Sequence, residues 1–379
     1  MSSTATPDVA RNARPYLYGG EEAAIASALS VGQYNHGAVT EEFEQALAAF
    51  LGVPDIVAVA SGTAALHVGL LAAGVGPGHE VVVPSFTFCA TVQAILAAGA
   101  RPRFVEVNPD TGCVEPADVL GALTPDTRAV MPVLYGGRAI DLSPARPALD
   151  ERGITVIEDA AQAFGSWQGE RRVGATGVVT CFSYGPIKNL TCGLGGAIVP
   201  RTPLEADICR RLRGLGIVES AARRAEVTTY TIDRFGMRVQ MSPLNAAVGL
   251  VQLVHFAEAE TRRRALWRAY AAALDGIDGV SLVDADVDRT VPALCAVRVL
   301  DGRRDRVFHA LLERGIGVGV HYPPNHTQPA FAAWHRPLPV TEHLGGQIMT
   351  LPFHQHLTEA AAEHITGELR EALVAEADR

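Results

Sequence analysis

Phe182-Ser183-Tyr184-Gly185-Pro186-Ile187-Lys188-Asn189 runs into Gly193-Leu194-Gly195-Gly196 and carries the only lysine of a 379-residue chain. No other charged residue stands between Arg172 and Arg201. A lysine in a weakly polar, glycine-rich stretch loses part of the solvation its ammonium needs. Its pKa then falls and the free amine becomes a nucleophile. Every other basic position is arginine or histidine. A guanidinium stays protonated and forms no Schiff base, so position 188 is where an amine was kept. A lone lysine would ordinarily be a solvated surface residue, but the uncharged flanks argue against that here.

Working outward, the β-branched run Ile154-Thr155-Val156-Ile157 ends in Glu158-Asp159-Ala160-Ala161-Gln162. Open α/β sheets place their ligands just beyond the carboxyl ends of strands, which is where Asp159 falls. A carboxylate there would keep a pyridinium nitrogen protonated. Gln162, about one helical turn on by the usual helix repeat, offers an amide to a phenolic oxygen. Ser61-Gly62-Thr63 opens an apolar helical segment. A helix N-terminus with glycine suits a phosphate, although the same residues would serve as a plain N-cap. Ser183, at a strand end, adds a hydroxyl for phosphate, and Phe88 is either a ring to stack on a pyridine or a core residue. An amine, an acid and a phosphate cradle together describe a site for pyridoxal 5′-phosphate (PLP), alternating with its amine form, pyridoxamine phosphate (PMP).

Short apolar runs alternate with helical stretches through the first two-thirds. Strands are expected over 55–60, 80–84, 102–107, 128–135, 154–158, 177–183 and 196–199, and helices over 63–73, 91–98 and 115–123. Continuous β-branched runs separated by helices predict a mostly parallel sheet covered on both faces. After residue 243 the pattern changes. One or two long helices over 245–274 precede strands near 280–283 and 293–299, a helix over 305–314 and a last helix from about Thr358. Three parts are expected: a flexible tail over 1–15, a large α/β domain over 16–250 and a small α+β domain over 251–379.

These motifs, in this order, resemble the DegT/DnrJ/EryC1/StrS family of PLP-dependent aminotransferases, from about Tyr16 to Leu373. The resemblance also covers Phe43-Glu44, Pro84-Ser85-Phe86-Thr87-Phe88, Met241-Ser242, Gln252-Leu253, His321-Tyr322-Pro323-Pro324 and Leu351-Pro352. It implies fold type I, the architecture of aspartate aminotransferase, and a homodimer with shared active sites. It implies Lys188 as the Schiff-base lysine, Asp159 at the ring nitrogen and Gln162 at the phenolic oxygen. Gly62, Thr63 and Ser183 would hold the phosphate, and Phe88 would stack. His321 and Tyr322 would line the substrate pocket. Three positions depart from the family pattern. The family often has an acid where Leu194 stands, and an asparagine that reaches the partner's phosphate where Arg238 stands; Gln240 replaces a family arginine. Arg238 is expected to take over that contact across the interface or to bind an acidic group of the substrate; the alternative is that it faces solvent and Ser183, Gly62 and Thr63 alone hold the phosphate.

The reaction implied moves an amino group from an amino acid, L-glutamate or L-glutamine, to a keto sugar, cyclitol or related carbonyl acceptor. A sugar dehydratase on the same fold would carry histidine in place of Lys188, and a PLP-binding sensor would lack turnover. The formal charge of −9 argues against nucleic acid as a partner. Six scattered cysteines form no CxxC pair and no zinc spacing. No metal site, membrane span or secretory leader is expected, and the cytoplasm is the expected compartment. Arg210, Arg211, Arg213, Arg223 and Arg224 form either a solvated face or an attraction for a nucleotide diphosphate.

Overall fold

The computed structural model describes residues 8–32 and 34–377. Its strands are β1 (Val57–Val59), β2 (Glu80–Pro84), β3 (Arg101–Val105), β4 (Thr127–Val130), β5 (Thr155–Asp159), β6 (Trp167–Gln168), β7 (Arg171–Arg172), β8 (Val179–Ser183), β9 (Gly196–Val199), β10 (Val280–Leu282), β11 (Cys295–Val299) and β12 (Ile348–Leu351). Seven form one sheet in the order β1-β9-β8-β5-β4-β2-β3. β2 pairs parallel with β3 and β4, β4 with β5, and β5 with β8, while β9 runs antiparallel to both β8 and β1. Six strands therefore point one way. The chain is α/β with a mostly parallel sheet, as the strand-helix alternation predicts.

β-Branched sequence explains this sheet. Val81, Val82, Val83, Val156 and Ile157 are buried on both faces, which only a sheet covered by helices on each side allows. The Gly62–Ala72 and Cys89–Ala97 helices supply one cover through Ala65, Leu66, Val68, Val92 and Ile95. The expected long helical stretch is two helices, Pro243–Val254 and Phe256–Leu274.

A second, antiparallel sheet of order β10-β11-β12 packs with the Phe256–Leu274, Arg304–Glu313 and Glu359–Ala377 helices around its own core. Residues 1–7 of the expected tail lie outside the described residues. Residues 8–15 run along this second unit: the Gly317 N–H donates to the Val9 carbonyl, and Asn12 Nδ2 donates to the Thr350 carbonyl at 2.9 Å. Among the described residues no helix is long and apolar enough to cross a membrane.

Candidate active site

The one-way sheet gathers the chain turns that follow β1, β2, β5 and β8 at a single edge. There they enclose a cavity of about 160 Å³, lined by Gly62, Thr63, Phe88, Thr91, Asp159, Gln162, Ser183, Lys188, Leu194 and Tyr322 among others. Lys188 sits at the tip of the β8–β9 hairpin, whose neck is closed by Tyr184 N–H to the Gly195 carbonyl at 2.8 Å. Asn189 anchors the tip. Its Nδ2 donates to the carbonyls of Val291 at 2.8 Å, Gln162 at 3.3 Å and Phe164 at 3.4 Å.

Asp159 ends β5 and is buried. Its Oδ2 accepts from the Thr91 hydroxyl at 2.7 Å and its Oδ1 from the Ala161 N–H at 3.1 Å. Thr91 is met in turn by Thr87, 2.8 Å between hydroxyl oxygens. Burial pushes the Asp159 carboxyl above its usual range, opposed by these bonds and by the Lys188 charge. Burial pulls the Lys188 ammonium below its usual value, opposed by Asp159. Each charged form is thus disfavoured in the cavity, and a cationic ring nitrogen beside Asp159 would supply what its carboxylate lacks.

Ser61 caps the Gly62–Ala72 helix by accepting the Ala64 N–H on its hydroxyl at 3.1 Å, and its carbonyl takes the Ala65 N–H. The N–H groups of Gly62 and Thr63 are left pointing out of the helix end. A Cβ on Gly62 would lie 2.6 Å from Ser183 Cβ and 2.8 Å from its Oγ. The helix end and the β8 end therefore touch, and Thr63 and Ser183 line the same cavity. This helix end and the Asp159 carboxylate, lining one cavity, fit the phosphate and the ring nitrogen of PLP.

Gln162 comes off β5 through a turn, not the expected helix. Its Oε1 accepts the Gly136 N–H at 2.7 Å and its Nε2 donates to the Tyr322 hydroxyl at 2.8 Å, leaving one amide hydrogen for a ligand. Phe88 and Tyr322 face each other with ring centroids 5.7 Å apart. Burial raises the Tyr322 phenol pKa, helped by Asp159. His321 stands behind the lining, with Nδ1 2.8 Å from the Thr350 hydroxyl and its carbonyl accepting from the Tyr135 hydroxyl.

Arg238 is not brought to this cavity. It lies exposed along a separate groove with Gln240, its guanidinium 3.5 Å from the Asn35 amide oxygen. The neighbouring arginines are spent within the chain. Arg210 pairs with Asp55, Arg213 with Glu44, Arg211 with Asp207 and Asp233, and Arg223 with Glu226. A diphosphate would have to break those pairs. Thr91 and Asn189 went unassigned as site residues in the sequence; Thr91 lies in the first turn of the Cys89–Ala97 helix and Thr87 in the turn before it, so no regular spacing pairs them. Among the described residues no cluster of three His, Cys, Asp or Glu side chains suits a metal.

Residues 17–370 match the DegT/DnrJ/EryC1/StrS aminotransferase family. The chain belongs to that family. It is an aminotransferase with PLP as its cofactor. Among its relatives is the dTDP-3-amino-3,4,6-trideoxy-alpha-D-glucose transaminase of Streptomyces venezuelae. The two are 37% identical over 355 residues, 92% of this chain and 91% of the relative. The crystal structure of S. venezuelae DesV in complex with a ketimine intermediate matches with a TM-score of 0.87 at 36% identity, over 95% of this chain and 98% of that one. The aminotransferase TlmJ of Streptoalloteichus hindustanus gives 0.90 at 32% identity, over 97% and 99%. Fold type I, expected from the motifs, is the architecture of this family aminotransferase.

Proposed function

We propose that this aminotransferase carries the amino group of L-glutamate or L-glutamine to the carbonyl of a keto sugar. The observation that carries the reading is the meeting of the sole lysine, the buried Asp159 and the Gly62–Thr63 helix end in one cavity. The sugar acceptor is supported by the transaminase relative and by the cavity's mouth, where Phe88 and Leu194 are both more than half exposed. Such an apolar rim suits a sugar that has lost hydroxyl groups better than a polyol.

When bound, PLP draws electrons away from the carbon that gives up its proton. Lys188 is the amine that would hold the cofactor, and the same amine would take and return the proton at the substrate carbon. Burial lowers its pKa, which favours the free amine, against the opposing pull of Asp159. Asp159 holds the ring nitrogen protonated, and Thr91 holds Asp159. Gln162 donates to the phenolic oxygen and, through Tyr322, ties that side of the site to the loop before β12. Gly62, Thr63 and Ser183 take the phosphate, Phe88 covers the ring, and His321 supports the substrate side.

A homodimer belongs to the same proposal. Tyr230, Ile232 and Phe235 are exposed apolar side chains on the segment that leads to Arg238, a poor surface to leave in water. Arg238 would then reach the partner's cavity. The division into units of 16–250 and 251–379 is likewise proposed, on the separate core around β11 and the last helix. The cytoplasm is proposed on six free cysteines, five of them buried.

Borohydride reduction of the yellow holoenzyme followed by peptide mapping tests the centre of the reading. A pyridoxyl adduct is expected on Lys188; an adduct elsewhere, or none, overturns it. A panel of keto acceptors with glutamate as donor then tests the sugar.

A further inference from the structure

Phe88 and Tyr322 arrive at the cavity on segments far apart in the chain. Phe88 ends the turn that leaves β2, and Tyr322 lies on the loop between the Arg304–Glu313 helix and the Pro339–Gln347 helix. A run of buried polar bonds joins the two segments behind the cavity. The Asn325 N–H donates to the Ser85 carbonyl, and its Nδ2 donates to the carbonyls of Ser85 at 3.1 Å and Thr87 at 2.6 Å. The His326 N–H donates to Ser85 Oγ at 2.9 Å, and its Nδ1 lies 2.6 Å from that oxygen. On the other side of the ring, Nε2 lies 3.1 Å from Oε1 of Glu342, which also accepts the Leu338 N–H at 3.1 Å.

These bonds have a direction. Glu342 Oε1 is an acceptor, so a neutral His326 ring keeps its proton on Nε2 and leaves Nδ1 to accept from the Ser85 hydroxyl. Serine, histidine and glutamate in this order are the parts of a hydrolytic triad. Ser85 and His326 are both 0% exposed, however, so no acyl group reaches the hydroxyl. The run serves position instead. It continues through Thr87 and Thr91 to Asp159, so one chain of bonds links a half-exposed carboxylate on the surface to the acid in the cavity.

We propose that His326 and Glu342 are positioning residues that hold the Ser85–Phe88 turn against the Tyr322 loop and so set the width of the cofactor slot and the aim of Thr91 on Asp159. The inference rests on the reading that this cavity holds PLP.

The test is the affinity of PMP, which needs no bond to Lys188, titrated into the full-length protein freed of cofactor, with melting temperature alongside. Glu342→Leu removes the acceptor at a surface position. Glu342→Gln keeps an oxygen for both Nε2–H and the Leu338 N–H. His326→Leu breaks both ends. We expect PMP to bind about tenfold more weakly in Glu342→Leu and at least as weakly in His326→Leu, with Glu342→Gln restored to wild type. Should His326→Leu fail to fold, the Glu342 pair decides. Wild-type affinity in Glu342→Leu overturns the proposal, and so does an equal loss in Glu342→Leu and Glu342→Gln. If the unsubstituted protein binds no PMP, the cofactor reading itself fails.

Discussion

Replacing Gly62 with alanine probes the phosphate cradle with a single methyl group. The new Cβ would lie 2.6 Å from Ser183 Cβ, 2.8 Å from Oγ and 3.2 Å from Cα. Carbon atoms in contact prefer about 3.5–4.0 Å, so about 1 Å must be found. The hydroxyl can rotate away, but Cβ and Cα are fixed by β8, so the helix end must move off the strand end. Overpacking of this kind costs about 1–3 kcal/mol, and alanine over glycine in a helix offsets up to about 1 kcal/mol. Folding therefore loses about 0–3 kcal/mol. Binding weakens as well, because the displacement swings the Gly62 and Thr63 N–H groups off the phosphate. A hydrogen bond to a charged group contributes about 1.5–3 kcal/mol, so the Kd for PMP should rise about ten- to a hundredfold. Fluorescence titration of the cofactor-free protein reads this directly. Gly367→Ala is the control. It sits inside the Glu359–Ala377 helix with open space at its Cβ position, and should raise stability while leaving PMP affinity alone. Adding Ser183→Gly to Gly62→Ala removes the obstruction but also the hydroxyl, and should recover part of the affinity. Wild-type affinity in Gly62→Ala would refute the assignment of the helix end as the phosphate site.

Asp159→Asn should keep PMP binding but lower turnover by at least about a hundredfold, because the ring nitrogen loses its anion; turnover within about tenfold of wild type removes Asp159 from that role. Glu158, buried behind it with only the Thr180 hydroxyl donating to it among the described residues, has its carboxyl raised by burial to about 7. The folded protein then holds that proton more tightly than the unfolded chain. Stability is greatest below the unfolded pKa and falls as pH climbs to about 7. Glu158→Gln should flatten this fall and be more stable than wild type at pH 8 by on the order of 3 kcal/mol; urea midpoints with the same pH dependence in both proteins would contradict it. Arg238→Ala should weaken PMP retention or raise the KM for the acceptor while sedimentation still shows the dimer, and unchanged kinetics in both half-reactions would show that Arg238 serves neither.

Chemistry fixed by local composition was legible before the structure. The uncharged stretch around Lys188 is legible because a hairpin tip inside a cavity tolerates no other charge. The run ending in Asp159 is legible because a strand buried on both faces is largely β-branched and apolar, as residues 154–157 are, until it nears its carboxyl end. The turn at Gln162 was not, since Ala160-Ala161-Gln162-Ala163 has good helix formers. What breaks the helix is tertiary: the Ala160 N–H donates to the Cys181 carbonyl, and Gly165 adopts φ +88° with Phe256 packed where a Cβ would stand. Partnerships between distant residues were also hidden. Gln162 with Tyr322, Arg213 with Glu44 and His326 with Ser85 have no signature in spacing. The four-residue β12, following Gly345-Gly346, is too short to announce itself by alternation.

Among the described strands β1 pairs with β9, Val57 opposite Ile198 and Val59 opposite Gly196, and Val59 also bridges to Gln240, later still in the chain. A ribosome must therefore make everything through residue 199 before the strand that feeds the phosphate cradle has an edge to join, and must pass Tyr322 before the cavity gains its last wall. Contacts so far apart in sequence close late, after the loops between them have been constrained. The cofactor accordingly cannot seed folding from the N-terminal side. Its retention reports that the chain has passed the Tyr322 loop, and a product truncated before that loop should emerge colourless however well its first strands have paired.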